Sequence, residues 1–157
     1  MKKMLIFMVV LLSSLNFIYP CKSAAVELST GGTIYVPIYR TFYQSYGSSR
    51  DAYGLTSTVS LHNTDPKNAI VVYAIEEYDA NGKLVKKLLL APITINPWSS
   101  KEITLLPPAQ PDEVGANLIV RWKSGQAANS PLVEVLMVGQ VLNRGVSFLT
   151  RGQEIKE

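Results

Sequence analysis

Cysteine, histidine and tryptophan are nearly missing from this chain, at one, one and two among 157 residues. A lone cysteine, Cys21, cannot close an intrachain disulfide, so apolar burial and sheet hydrogen bonds must hold the fold together. One histidine and one cysteine cannot complete a closed structural zinc site. No G-x-S-x-G elbow, glycine-rich phosphate loop, RNA-binding aromatic signature or helical zinc-protease motif occurs. Charged residues make up 17% of the chain, and no run of Lys or Arg points to nucleic acid or an anionic membrane. We therefore expect no catalytic residue, no metal ligand and no cofactor.

The first two dozen residues have a clear layout. Lys2 and Lys3 precede an apolar run from Met4 to Tyr19, then Pro20 and the small residues Ser23-Ala24-Ala25. A basic start, a short apolar middle and a small-residue exit describe a secretory signal peptide, residues 1–25. Cleavage follows Ala25, with a cut after Ser23 as the fallback. Met4–Tyr19 is too short for a transmembrane helix and is broken by Ser13, Ser14 and Asn16; no later stretch approaches bilayer length. The alternative is a lipid anchor on Cys21, although Ile18-Tyr19-Pro20 departs from the small or aliphatic residues an acylation motif needs. Cleavage removes three of the 15 basic residues and none of the 12 acidic ones, so the mature chain is charge-neutral. The expected product is one exported domain, residues 26–157, periplasmic or extracellular.

Beyond the leader the apolar pattern has period two. Ile34, Val36 and Ile38 alternate with Tyr35, Pro37 and Tyr39, and Pro37 suggests an edge strand or a break. Leu55, Val59 and Leu61 point inward from Leu55–Asn63, and Asn63-Thr64-Asp65-Pro66 turns the chain. Ala69–Tyr78 reads as a central strand, and Asn81-Gly82 as a hairpin returning along Leu84–Leu90. Short strands follow at Ile93–Ile95, Glu102–Leu106, Leu118–Trp122, Val133–Val138 and Val146–Thr150. The tail from Gln153 to Glu157 is expected to fray. About seven to nine short strands with frequent turns indicate an antiparallel β-sandwich or barrel.

The combination resembles the bacterial domain-of-unknown-function family 3124. The residues carrying the likeness are Ile34-Tyr35-Val36-Pro37-Ile38-Tyr39, Leu61-His62-Asn63-Thr64-Asp65-Pro66, and Tyr78-Asp79 with Gly82-Lys83-Leu84-Val85. Gly115-Ala116-Asn117 before Arg121-Trp122, then Gly145-Val146-Ser147-Phe148 with Arg151-Gly152, complete it. The likeness implies export and a compact β domain, with no catalytic residue to carry over. The order of the strand and turn motifs is also similar to immunoglobulin-like accessory domains of bacterial envelopes. An immunoglobulin-like sandwich is thus the expected fold, a likeness that specifies no function.

Candidate sites follow. Tyr39, Tyr43, Tyr46 and Tyr53, with Arg50, are crowded into a short segment; amphipathic rings and a guanidinium suit an envelope protein or a glycan. Glu76, Glu77 and Asp79 could supply the acid pair of a carboxylate-dependent hydrolase, but strand alternation sends Glu76 and Glu77 to opposite faces. Their expected role is to keep a strand end soluble. Glu134 and Arg121 lie within apolar runs and would pair if their strands were neighbours. His62, near Ser60 and Asp65, reads as a solvated strand-end imidazole, Trp98 as a turn plug and Trp122 as core. The sequence is silent on oligomeric state.

Overall fold

The computed structural model describes residues 27–46, 49–108, 115–141 and 143–156. The expected leader, residues 1–25, lies outside the described residues. Twelve strands and no helix are found among those described: β1 (Ser29–Pro37), β2 (Thr41–Tyr46), β3 (Ser49–Gly54), β4 (Thr56–His62), β5 (Ile70–Asp79) and β6 (Leu84–Lys87) in the first half. β7 (Ile93–Ile95), β8 (Ser100–Leu105), β9 (Gly115–Ala128), β10 (Leu132–Val141), β11 (Arg144–Arg151) and β12 (Gln153–Ile155) complete them. Among the described residues no helix is long and apolar enough to cross a membrane.

One sheet runs β12-β1-β9-β5-β6, with β7 also on β5; the second runs β11-β10-β4-β8. Every pairing is antiparallel. Alternation builds the shared core: Ile34 and Val36 of β1 and Leu118, Val120 and Trp122 of β9 meet Val59 and Leu61 of β4 and Val133, Val135 and Met137 of β10. Each fully buried aliphatic side chain contributes about 1.5–3 kcal/mol.

The structure departs from the pattern at several points. β1 is flanked by β12 and β9, so Pro37 marks its end rather than an edge. In the β5–β6 turn only Gly82 takes a positive φ, 77°. Asp79 accepts the N–H groups of Asn81 and Lys83 on Oδ1, both at 2.9 Å, and that of Gly82 on its carbonyl at 3.1 Å. The return strand stops at Lys87, where Leu88 N–H turns to Ile75 O at 2.8 Å. Ser124 and Gly125, which resemble a connection, lie inside β9. The tail does not fray: it crosses to the first sheet as β12, pairing Thr33–Tyr35. β2, β3 and β12 are the three strands that alternation did not reveal.

Candidate functional site

β2 and β3 form a two-stranded ribbon that pairs with neither large sheet. Phe42 stands opposite Tyr53 and Tyr43 opposite Ala52, so Tyr43 and Tyr53 occupy different faces. Phe42 is the anchor, its ring centroid 5.8 Å from that of Phe148 on β11. Tyr39, just beyond β1, lies 6.3 Å from the same ring, and its N–H meets Met137 Sδ at 3.0 Å. Tyr39 and Tyr43 keep exposed surface, while Tyr53 is half-buried. Tyr46 and Arg50 belong to the backbone of β2 and β3, and their side chains lie outside the described residues. Of the expected aromatic group, Tyr43 and Tyr53 therefore stand on different faces of the ribbon.

The base of the ribbon carries a feature the sequence did not disclose. Arg40 and Glu77 are both buried, at 8% and 4% exposure, and pair at 2.9 Å. Arg40 also donates to the Leu106 carbonyl, and its own carbonyl accepts Leu55 N–H at 2.8 Å. One side chain thus fastens the ribbon to β5 and to the end of β8. Gly54 closes the joint: a Cβ there would lie 2.8 Å from Pro107. Beside the pair opens a cleft of about 870 Å³ between β6 and the end of β8, lined also by Asp79, Lys86 and Leu105. Among the described residues, Arg40 Nε meets no acceptor.

Glu77 turns inward because the β5–β9 register shifts between Val72 and Ala74. That irregularity moves the inward phase from Ile70 and Val72 to Ile75 and Glu77. Glu77 is therefore no solubilising strand-end charge. Glu76, on the other face, accepts from Arg121 at 2.6 Å and Tyr78 Oη at 3.1 Å, with Lys87 at 3.7 Å. The Arg121 hydrogen bond is the main reason its carboxyl is held below the ordinary range. The Arg121–Glu134 pair does not form, because β9 and β10 belong to different sheets. Glu134 pairs instead with Arg151 at 3.0 Å. No group of three His, Cys, Asp or Glu side chains suited to a metal occurs among the described residues. His62 sits at the end of β4 between Leu132 and Ser100.

The opposite end is organised by two buried polar side chains, Asn63 and Asp65. Asp65 accepts the N–H groups of Lys67 (2.9 Å), Asn68 (2.7 Å) and Asn129 (3.0 Å). Those of Lys67 and Asn68 do most to hold its carboxyl below the usual range. Asn63 Nδ2 donates to Asn68 O at 2.8 Å and Ile95 O at 3.0 Å. Asn63 N–H meets Ser99 O at 2.9 Å, pinning the β7–β8 turn. At the tip of that turn Trp98 is 72% exposed, so it plugs nothing, whereas Trp122 is 1% exposed and belongs to the core.

A family described as "Protein of unknown function (DUF3124)" matches residues 31–155. No curated protein matches the chain. Among solved structures, the crystal structure of Thermotoga maritima 1070 aligns with a TM-score of 0.43 at 14% identity, covering 78% of this chain and 92% of that one.

Proposed function

We propose, from the premise that this chain belongs to the DUF3124 family of proteins of unknown function, that it is a non-catalytic binding or accessory module of the bacterial cell envelope. In this reading residues 1–25 are removed on export, and 26–157 work in the periplasm or outside the cell as one immunoglobulin-like sandwich. The partner is an envelope protein or glycan taken at the ribbon, which holds Tyr43, Tyr46, Arg50 and Tyr53, with Tyr39 beside it. One observation carries the proposal: the β2–β3 ribbon adds no strand to either large sheet, yet it is fastened at its base by a buried ion pair. An element held so firmly while exposing tyrosine is well suited to present a surface to something else.

The test compares tagged mature protein with its Tyr43→Ala variant in envelope extract. We expect a partner enriched by the wild type to be lost from the variant while the thermal midpoint is unchanged. Equal enrichment by both would remove the ribbon from the proposal. A carboxylate-dependent hydrolase is the second reading, favoured by Glu77 and Asp79 lining one cleft. Against it, Glu77 is engaged by Arg40 and Asp79 Oδ1 by two backbone N–H groups. Turnover of an envelope substrate that disappears in Glu77→Gln, with the fold intact, would reverse the order of the two readings.

A further inference from the structure

Three described residues have a positive φ: Gly82 at 77°, Asn143 at 65° and Trp98 at 58°. Glycine has no Cβ to clash there, and asparagine is among the few side chains that tolerate the region. Tryptophan is not, so the backbone at position 98 is strained. A strained residue persists when its surroundings over-determine it or when its side chain is needed. Packing does not explain this one. The indole is 72% exposed, the most solvent-facing aromatic ring among the described residues, so the strain is not repaid by core burial.

The turn beneath it is rigid. Ser99 N–H closes on Asn96 O at 3.1 Å, Ser99 O accepts Asn63 N–H, and Asn63 is locked to Asn68 and Ile95 by its amide. The exposed neighbours Asn96, Ser99 and Ser100 carry amide and hydroxyl groups. We infer that Trp98 is a binding platform for the ring face of a six-membered sugar in a glycan. The axial C–H groups of such a ring are weakly positive and match the negative face of an indole. The flanking amide and hydroxyls can exchange hydrogen bonds with sugar hydroxyls. A fixed ring on a fixed turn loses little conformational freedom on binding. This site lies at the far end of the two large sheets from the ribbon and is independent of it.

The experiment titrates the mature protein by calorimetry with chitotetraose, cellotetraose, maltotetraose and lysozyme-solubilised peptidoglycan, and in parallel with phosphatidylglycerol vesicles. At least one glycan is expected to bind saturably. Trp98→Ala and Trp98→Gly should each weaken it about tenfold or more, while Leu149→Ala, an exposed change on β11, leaves it unchanged. Trp98→Gly is the decisive variant: relief of the strained φ predicts a thermal midpoint equal to or above that of the wild type. The inference is overturned if none of the glycans binds, if only the vesicles do, if binding survives Trp98→Gly, or if Trp98→Gly lowers the midpoint as loss of a packed residue would.

Discussion

Arg40 and Glu77 are 37 positions apart in sequence, and nothing local announces that they meet. Removing one partner strands the other in a site with little water. We expect Glu77→Ala to cost about 3–5 kcal/mol in urea denaturation, whereas Arg40→Met with Glu77→Leu, which leaves no charge behind, should recover most of it. Equal losses in both proteins would show that Arg40 acts mainly through its bond to Leu106. Asp65 makes a different prediction. Its carboxyl is held below the ordinary range in the fold, so its ionised form favours the folded state. That contribution is complete above the ordinary pKa of the unfolded chain and fades as pH falls through the lowered value. The stability gap between wild type and Asp65→Asn should therefore be widest near neutrality and shrink below about pH 4. A gap independent of pH would assign Asp65 a purely geometric role. Asn63 and Asp65 were legible as a turn; the partner brought in by Asn129 was not, because it arrives from 64 residues away.

Most strands were legible because side chains in β1, β4, β9 and β10 alternate between a wet and a dry side. Where the structure differs, the reason lies in pairing, which alternation does not encode. A pattern of inward positions says nothing about which sheet a strand joins, so whether β9 and β10 pair stayed open until the structure put them in different sheets. β12 was invisible because Gln153, Glu154 and Ile155 are all exposed and hold their place by backbone hydrogen bonds to β1. The joint that lets the chain leave β11 for β12 is Gly152. Its N–H reaches Val133 O at 2.8 Å, and a Cβ would lie 2.6 Å from Ile34 Cγ2 and 2.9 Å from Val36 Cγ2. Both neighbours are stiff core methyls with no room to retreat. Gly152→Ala should then lose about 1–3 kcal/mol by overcrowding. Limited proteolysis should also find β12 released first. A variant as stable as the wild type would mean that the crossing has slack the close approach does not suggest.

At the scale of the molecule, the two candidate surfaces occupy opposite ends of one shared core. β8 begins at Ser100, beside the Trp98 turn, and ends at Leu105, beside the ribbon base and the cleft. Six extended residues separate those ends by roughly 17–20 Å. The all-β class was legible because apolar residues recur with a period of two, which suits sheets. The two candidate surfaces were legible only as crowded tyrosines and a turn, since strain at Trp98 and fastening at Arg40 arise from tertiary geometry. Sites so far apart should contribute to stability independently. Tyr43→Ala combined with Trp98→Gly is expected to equal the sum of the single changes within about 0.5 kcal/mol. Glu77→Ala with Gly54→Ala should not, because Arg40 holds Leu106 and Gly54 abuts Pro107 on the same stretch of chain. There the coupling should reach about 0.5–3 kcal/mol. If the distant pair couples as strongly as the near one, the core transmits strain from one end to the other, and neither surface could be altered without changing the other.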